Sequence, residues 1–294
     1  LTLCVLLGLQ AQNKKDYKID IKIKGIEDSV LYLANYYGDK TFLIDTALRK
    51  GKNNYLFEGN NELAGGIYIL VGQSKNTIFE FLISDSQFLK FDSETDNLIE
   101  DMEVKGSNEN TLFFRYLAYS NIQFKQLKNI QKKLKLYASK PDSVNLFNKQ
   151  ITALNLDIVE YKESIIEAYP KSFISQLFLA MKSPDIEIMA KEDTVKAFQY
   201  LKKHYWDYVS FNDDRLIRTP VFHNKLDYYF SSIVHPAPDS IMQEVDAFLV
   251  RLNEGSEMYK HSLWFLTLKF DQSKRMGYES ILVHFADHYF SKGK

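Results

Sequence analysis

The densest run of chemically capable side chains is His204-Tyr-Trp-Asp-Tyr-Val-Ser-Phe-Asn-Asp-Asp-Arg-Leu-Ile-Arg-Thr-Pro-Val-Phe222. Asp207, Asp213 and Asp214 could divide acid–base work, with His204 as a base, because proton transfer needs such groups within hydrogen-bonding reach. Arg215 or Arg218 could bind an anion with a planar fork of N–H donors. The competing reading is a loop between helices, fastened by Arg–Asp pairs, with Tyr205, Trp206 and Tyr208 in the core. Ser210 and Ser231 lack the Gly-x-Ser-x-Gly setting of an exposed nucleophile. The segment therefore reads as a structural loop or a shallow binding surface, with His204, Trp206, Asp207, Asp213, Asp214, Arg215 and Arg218 as the binding candidates and no catalytic residue.

Other constellations carry less. His284 and His288 lie one helical turn apart and could share a metal. The metalloprotease pattern, however, needs Glu directly after the first His, and Phe285 stands there. Gly65-Gly66 lacks the Gly-Lys-Ser/Thr ending of a phosphate loop and reads as a bend or a close approach. The acidic run Asp92, Glu94, Asp96, Glu100, Asp101, Glu103 lacks the ligand order of a calcium loop. It reads as solvated edge residues that discourage edge-to-edge pairing. No metal and no cofactor are expected.

The elements that must position these residues change character near Gly106. Before it, short alternating runs are broken by turn residues; after it come helical spacings and all six prolines. Tyr17–Lys24 alternates strictly, with Ile19, Ile21 and Ile23 on one side and lysines and Asp20 on the other. Further strands are expected over Ser29–Tyr36, Thr41–Leu48, Asn54–Glu58, Gly66–Val71, Thr77–Ile83, Gln87–Asp92 and Leu98–Val104. Short strands at this spacing predict an antiparallel β-sandwich or partly open barrel over 14–106. Residues 107–294 predict an all-α domain. It starts at the cap residues Ser107-Asn-Glu-Asn110 and forms a long helical hairpin over 110–169, interrupted at Pro141-Asp-Ser143. Phe147, Ile151, Leu154, Ile158, Tyr161, Ile165 and Ala168 make a heptad seam. The hairpin could be a spacer arm or a homodimer surface, although packing on itself and its neighbours needs no partner. A helical bundle follows over 171–290, with helices expected at Phe173–Lys182, Asp193–Tyr205, Val221–Val234, Ser240–Leu252, Ser256–Lys269 and Glu279–Phe290. The fold class is thus α+β and multidomain.

Net charge is −1, without the basic excess a nucleic-acid binder needs. Lys125, Lys128, Lys132, Lys133 and Lys135 read as a solvated helix face. Residues 1–11 are apolar and are followed at once by polar Gln12-Asn-Lys-Lys-Asp16. This pattern predicts the end of a secretory signal over 1–13, cut after Ala11, and no transmembrane helix in the mature chain. Cys4, the only cysteine, lies inside it, so the mature segment would hold no thiol chemistry.

Two groups of motifs then carry a resemblance. Ile21-Lys-Ile-Lys-Gly25, Phe57-Glu-Gly59, Gly66-Ile-Tyr-Ile-Leu70 and Val104-Lys-Gly-Ser107 resemble an N-terminal domain of unknown function in Bacteroidetes envelope proteins. His204-Tyr-Trp-Asp207, Arg218-Thr-Pro-Val-Phe222, Pro238-Asp-Ser240 and Met276-Gly277 resemble a second such domain. In that family both precede a TlpA-type, thioredoxin-like thiol–disulfide oxidoreductase domain with a Cys-x-x-Cys motif, which this sequence lacks. The resemblance implies export to the periplasm or cell envelope of a Gram-negative bacterium. It also implies a non-catalytic accessory region that positions or selects protein or peptide clients for the oxidoreductase domain. The alternatives are an envelope peptide- or ligand-binding module using 204–222 and, from another class, a hydrolase using Asp207 or Asp214.

Overall fold

A computed structural model describes residues 15–291; the apolar leader and Cys4 lie outside them. Eight strands run in order: β1 (Tyr17–Lys24), β2 (Val30–Tyr37), β3 (Lys40–Leu48), β4 (Asn54–Gly59), β5 (Gly66–Val71), β6 (Thr77–Ile83), β7 (Phe88–Glu94) and β8 (Glu103–Lys105). They form two four-stranded sheets, β4-β1-β7-β8 and β3-β2-β5-β6. The sandwich follows from the alternation: Ile19, Ile21 and Ile23 point inward and are sealed from solvent, opposite Leu31, Leu33, Tyr68, Leu70 and Phe81. Within it, β1 and β7 run parallel, pairing Lys18 with Phe88 through to Lys24 with Glu94. The strand expected over Leu98–Val104 is only Glu103–Lys105, because a 3₁₀ turn at Thr95–Asn97 and the loop after it occupy the approach.

Nine α-helices follow among the described residues: α1 (Asn108–Leu136), α2 (Pro141–Ala168), α3 (Phe173–Ala180), α4 (Glu187–Glu192), α5 (Thr194–His204), α6 (Pro220–Tyr228), α7 (Pro238–Leu249), α8 (Glu257–Asp271) and α9 (Glu279–Phe285). α6 and α9 each end in a π-helical turn, Tyr229–Ile233 and Ala286–Phe290. α1 and α2 form the hairpin. At 1.5 Å per residue α1 is about 43 Å long, and past Leu127 none of its residues is buried. Its outer half packs on α2, where the seam positions Phe147, Ile151 and Leu154 are half-buried. No described helix is long and apolar enough to cross a membrane.

The helices close over the sandwich and share a core with it. β5 is buried along nearly its whole length, because its two faces serve two cores. Tyr68 and Leu70 face the sandwich, while Ile67 joins Leu82 of β6 in the helical cluster with Phe173, Phe178 and Leu216. In the other direction, Phe114 of α1 enters the sandwich and packs 5.7 Å from Phe79 and 5.8 Å from Phe91, ring centre to ring centre. Burying a side chain of that size stabilises by about 1.5–3 kcal/mol.

Carboxylates from one element cap helices of another. Asp85, after β6, accepts from Ser107 Oγ and from the backbone N–H groups of Asn108 and Glu109 at the start of α1. Glu109 in turn accepts from Phe173 and Ile174 at the start of α3, both at 3.1 Å. Each satisfies N–H groups that the helix itself leaves unpaired, with the favourable sign of charge.

Candidate functional site

The segment 204–222 links α5 to α6 and divides into two parts. At its start, His204 Nδ1 lies 2.6 Å from Asp207 Oδ2 in an exposed pair. Between them in sequence, Trp206 is 3% exposed, with its indole 5.0 Å from Tyr205, 5.2 Å from Tyr229 and 5.0 Å from Phe248. Its ring is therefore a core element and not a surface one. Tyr208 is the aromatic of this run that reaches solvent.

The second part is a 3₁₀ turn, Asp214–Arg218, wedged between the sandwich and α8. Each polar side chain there has a partner. Asp213 accepts from Arg215 Nε and Nη2, both at 2.7 Å. This raises the Arg215 pKa against the opposing effect of burial. The Arg215 guanidinium lies 4.7 Å above the Phe173 ring. Asp214 caps α8, accepting from Glu257 and Met258 N–H at 3.1 Å each. Arg218 Nη2 donates to Glu257 Oε2 at 2.8 Å, and the guanidinium lies 5.7 Å from the Tyr37 ring centre. Thr219 ends the turn by accepting from Val221 N–H, and Pro220 begins α6.

The sandwich is shaped to receive this turn. Gly66 has φ 151, and a Cβ there would come within 2.3 Å of Arg218 Cβ. The Gly65-Gly66 pair is thus a close approach of two backbones. The structure brings Asp213, Asp214, Arg215 and Arg218 to the joint between sandwich and helices. His204 and Asp207 form their own pair, and Trp206 joins the core.

Beside the joint lies a cleft of about 630 Å³. Its walls are Tyr17, Tyr37, Phe42 and Ile44, with the 59–64 loop; Asn35, Tyr68 and Arg218 also line it. Asn35 is 7% exposed and Tyr68 1%, while Phe42 is 48% exposed. The Tyr68 hydroxyl donates to Ala64 O at 2.9 Å, and the Tyr17 hydroxyl to Asp45 at 2.6 Å. Burial, aided by that Asp45 contact, raises the Tyr17 pKa; burial alone raises that of Tyr68, against the neighbouring Asn35 amide and Arg218. Of these residues only Arg218 stood out in the sequence. The others come from β1, β2, β3 and β5, where each reads as one member of an alternating strand.

Three further groups of titratable side chains are buried or paired. His223 Nδ1 and His261 Nε2 are 3.2 Å apart at the inner face of α8. Lys225, 8% exposed, donates to Lys182 O at 2.7 Å and lies over Tyr205; burial lowers its pKa to about 8. His284 Nε2 lies 2.8 Å from Asp246 Oδ1, and His288 Nδ1 contacts the His284 carbonyl at 3.0 Å. Each histidine of this last pair is thus directed to a protein partner. Among the described residues no three His, Cys, Asp or Glu side chains gather to hold a metal ion.

Residues 123–293 match the domain of unknown function DUF5106. That is more than half of the chain, which therefore belongs to this family. No curated protein and no solved structure matches the chain.

Proposed function

We propose that this member of the DUF5106 family is an exported, non-catalytic module. It holds a protein or peptide client in place for a TlpA-type thiol–disulfide oxidoreductase domain carried outside these residues. The observation that supports this reading best is the fate of Asp213, Asp214, Arg215 and Arg218. The four most chemically capable residues of 204–222 fasten the 214–218 turn to α3 and α8, and Arg218 in turn meets Tyr37 and Gly66 of the sandwich. Groups held in this way fix one module against the other, as a positioning device requires. The resemblance of the β and α motifs to envelope proteins is what supports the location and the redox partner in this reading.

The test is insulin reduction by the purified chain with dithiothreitol as electron source. The expected rate equals the uncatalysed one, and turnover above it overturns the reading. Fusing the chain to a thioredoxin-like domain is expected to change which clients that domain reduces, without changing its rate on a small disulfide.

A ligand-binding module is the second reading, and the cleft beside Arg218 favours it. The exposed aromatic on that surface is Phe42 and not Trp206. A hydrolase using Asp207 or Asp214 has less support, because Asp207 contacts His204 on an open surface and Asp214 caps a helix.

A further inference from the structure

The cleft between β3, the 59–64 loop and the 214–218 turn is built like a receptor for one chemical class. We propose that it binds a carboxylate carried on an aromatic or branched apolar body, either a free acid or the C-terminus of a peptide.

The donor side of the argument starts at Arg218. A guanidinium presents five N–H donors in a fixed plane and cannot be relieved by deprotonation. The Arg218 side chain is only 15% exposed, and its Nη2 donates to Glu257. Arg218 also lines the cleft. A carboxylate entering the cleft matches a guanidinium edge with two parallel charge-assisted bonds. Asn35, 93% buried, stands beside the Tyr68 hydroxyl and adds a carboxamide to the same floor.

Acids near the site have partners of their own, Asp214 among them as the cap of α8. Asp45 accepts from the Tyr17 hydroxyl. Glu257 already holds one edge of Arg218 and is itself 40% exposed. Glu62 sits on the exposed loop, where water screens it.

The walls specify the rest of the ligand. Tyr17, Tyr37 and Phe42 with Ile44 line an open, largely apolar cleft, and Tyr37 and Phe42 meet edge to face at 6.3 Å. The volume of about 630 Å³ falls in the range of small-ligand pockets, which combine apolar walls with a few convergent polar groups. β3 is the outer strand of its sheet, so a peptide whose terminus enters the cleft could continue along that edge. The chemistry of the cleft does not depend on what the module positions, so a silent or active insulin assay leaves it unchanged.

Isothermal titration of the whole chain tests this with four probes: hydrocinnamate, hydrocinnamamide, and a short peptide ending in Phe with a free or an amidated C-terminus. Each acid is expected to bind about ten-fold or more tightly than its amide, the discrimination of one charge-assisted fork. If the peptide acid binds and hydrocinnamate does not, the ligand is a polypeptide terminus; if both bind, a free acid suffices. Arg218→Lys is expected to bring acid and amide close together, with folding verified by its melting curve. Phe42→Ala, at a wall position 48% exposed and outside the core, weakens both acids. Three results overturn the proposal: acid and amide binding equally, none of the four binding at millimolar concentration, or acid binding unaffected by Phe42→Ala.

Discussion

His223 Nδ1 and His261 Nε2 lie 3.2 Å apart, with Gly38 at the tip of the β2–β3 hairpin pressed against His261. At that distance one ring donates and the other accepts, so the two cannot both be protonated. Tyr37, Trp264 and Phe265 surround His261, and Phe265 also packs on His223. Desolvation lowers both pKa values, His261 to about 4; Asp39 and Asp227 oppose it, while Lys40 and Lys269 add to it.

This pair predicts acid sensitivity. In the unfolded chain both rings take protons near pH 6.5; in the folded protein they resist until lower pH. The unfolded state therefore binds more protons as pH falls below about 6.5, and stability falls with it. The contribution of His261 is complete above that value and is lost down through about pH 4. The full shift corresponds to up to ~3 kcal/mol. Thermal melts of the wild type are expected to drop between pH 7 and pH 4 more steeply than those of His261→Phe, and parallel curves would refute the assignment.

A second prediction concerns Asn110, which is fully buried in the first turn of α1. Its Oδ1 accepts from Leu82 N–H and its Nδ2 donates to Leu82 O, both at 2.7 Å. The side chain thus occupies the place a further strand would take beside β6 and closes that edge of the sheet. Asn110→Ala strands a buried donor and a buried acceptor together. It should lower stability by about 2–4 kcal/mol in urea titration. Asn110→Asp should cost at least as much, because a carboxylate would face the Leu82 carbonyl.

How much of this was legible in the sequence follows the range of the interactions. The alternation of Tyr17–Lys24 and the seam of α2 are local periodicities, and both elements stand where the pattern places them. The parallel pairing of β1 with β7 joins residues 70 apart and leaves no local trace. Leu98–Val104 alternates well enough to read as a strand, yet a 3₁₀ turn precedes it and only Glu103–Lys105 pairs. Trp206 in an aromatic and charged run looked like a binding residue, but tertiary packing against Tyr229 and Phe248 buried it. The cleft was invisible for a simpler reason. Asn35, Phe42 and Tyr68 share no spacing, and only sheet pairing and the arrival of Arg218 bring them together.

The Gly66–Arg218 approach makes a third prediction. Gly66→Ala would place a methyl group 2.3 Å from Arg218 Cβ and 3.0 Å from Arg218 O, at a φ of 151 that L residues rarely adopt. The atoms met are Arg218 Cβ, O and Cα and not the far end of a flexible side chain, so none yields cheaply. Loss of about 2–4 kcal/mol is expected, from strain combined with overpacking. The change should also loosen the 214–218 turn, so hydrogen exchange at the capped Glu257 and Met258 amides is expected to rise. Unchanged exchange alongside unchanged stability would show that the two backbones are not pressed together.

Lys225 makes the last prediction, of opposite sign. Its ammonium is enclosed with no carboxylate partner. It donates to Lys182 O just beyond the C-terminal end of α3 and lies 4.7 Å from the Tyr205 ring centre. Burial lowers its pKa from 10.5 to about 8. A charge that is harder to hold folded than unfolded opposes folding at pH 7, and this opposition fades as pH rises from about 8 towards 10.5. Lys225→Met keeps the stem and removes the charge. Because the group retains some solvent contact and one carbonyl loses a donor, the expected gain is about 1 kcal/mol at pH 7. Measured against pH, the variant and the wild type should converge above pH 8. A variant less stable than the wild type at pH 7 would show that the carbonyl and ring contacts outweigh the desolvation of the ammonium.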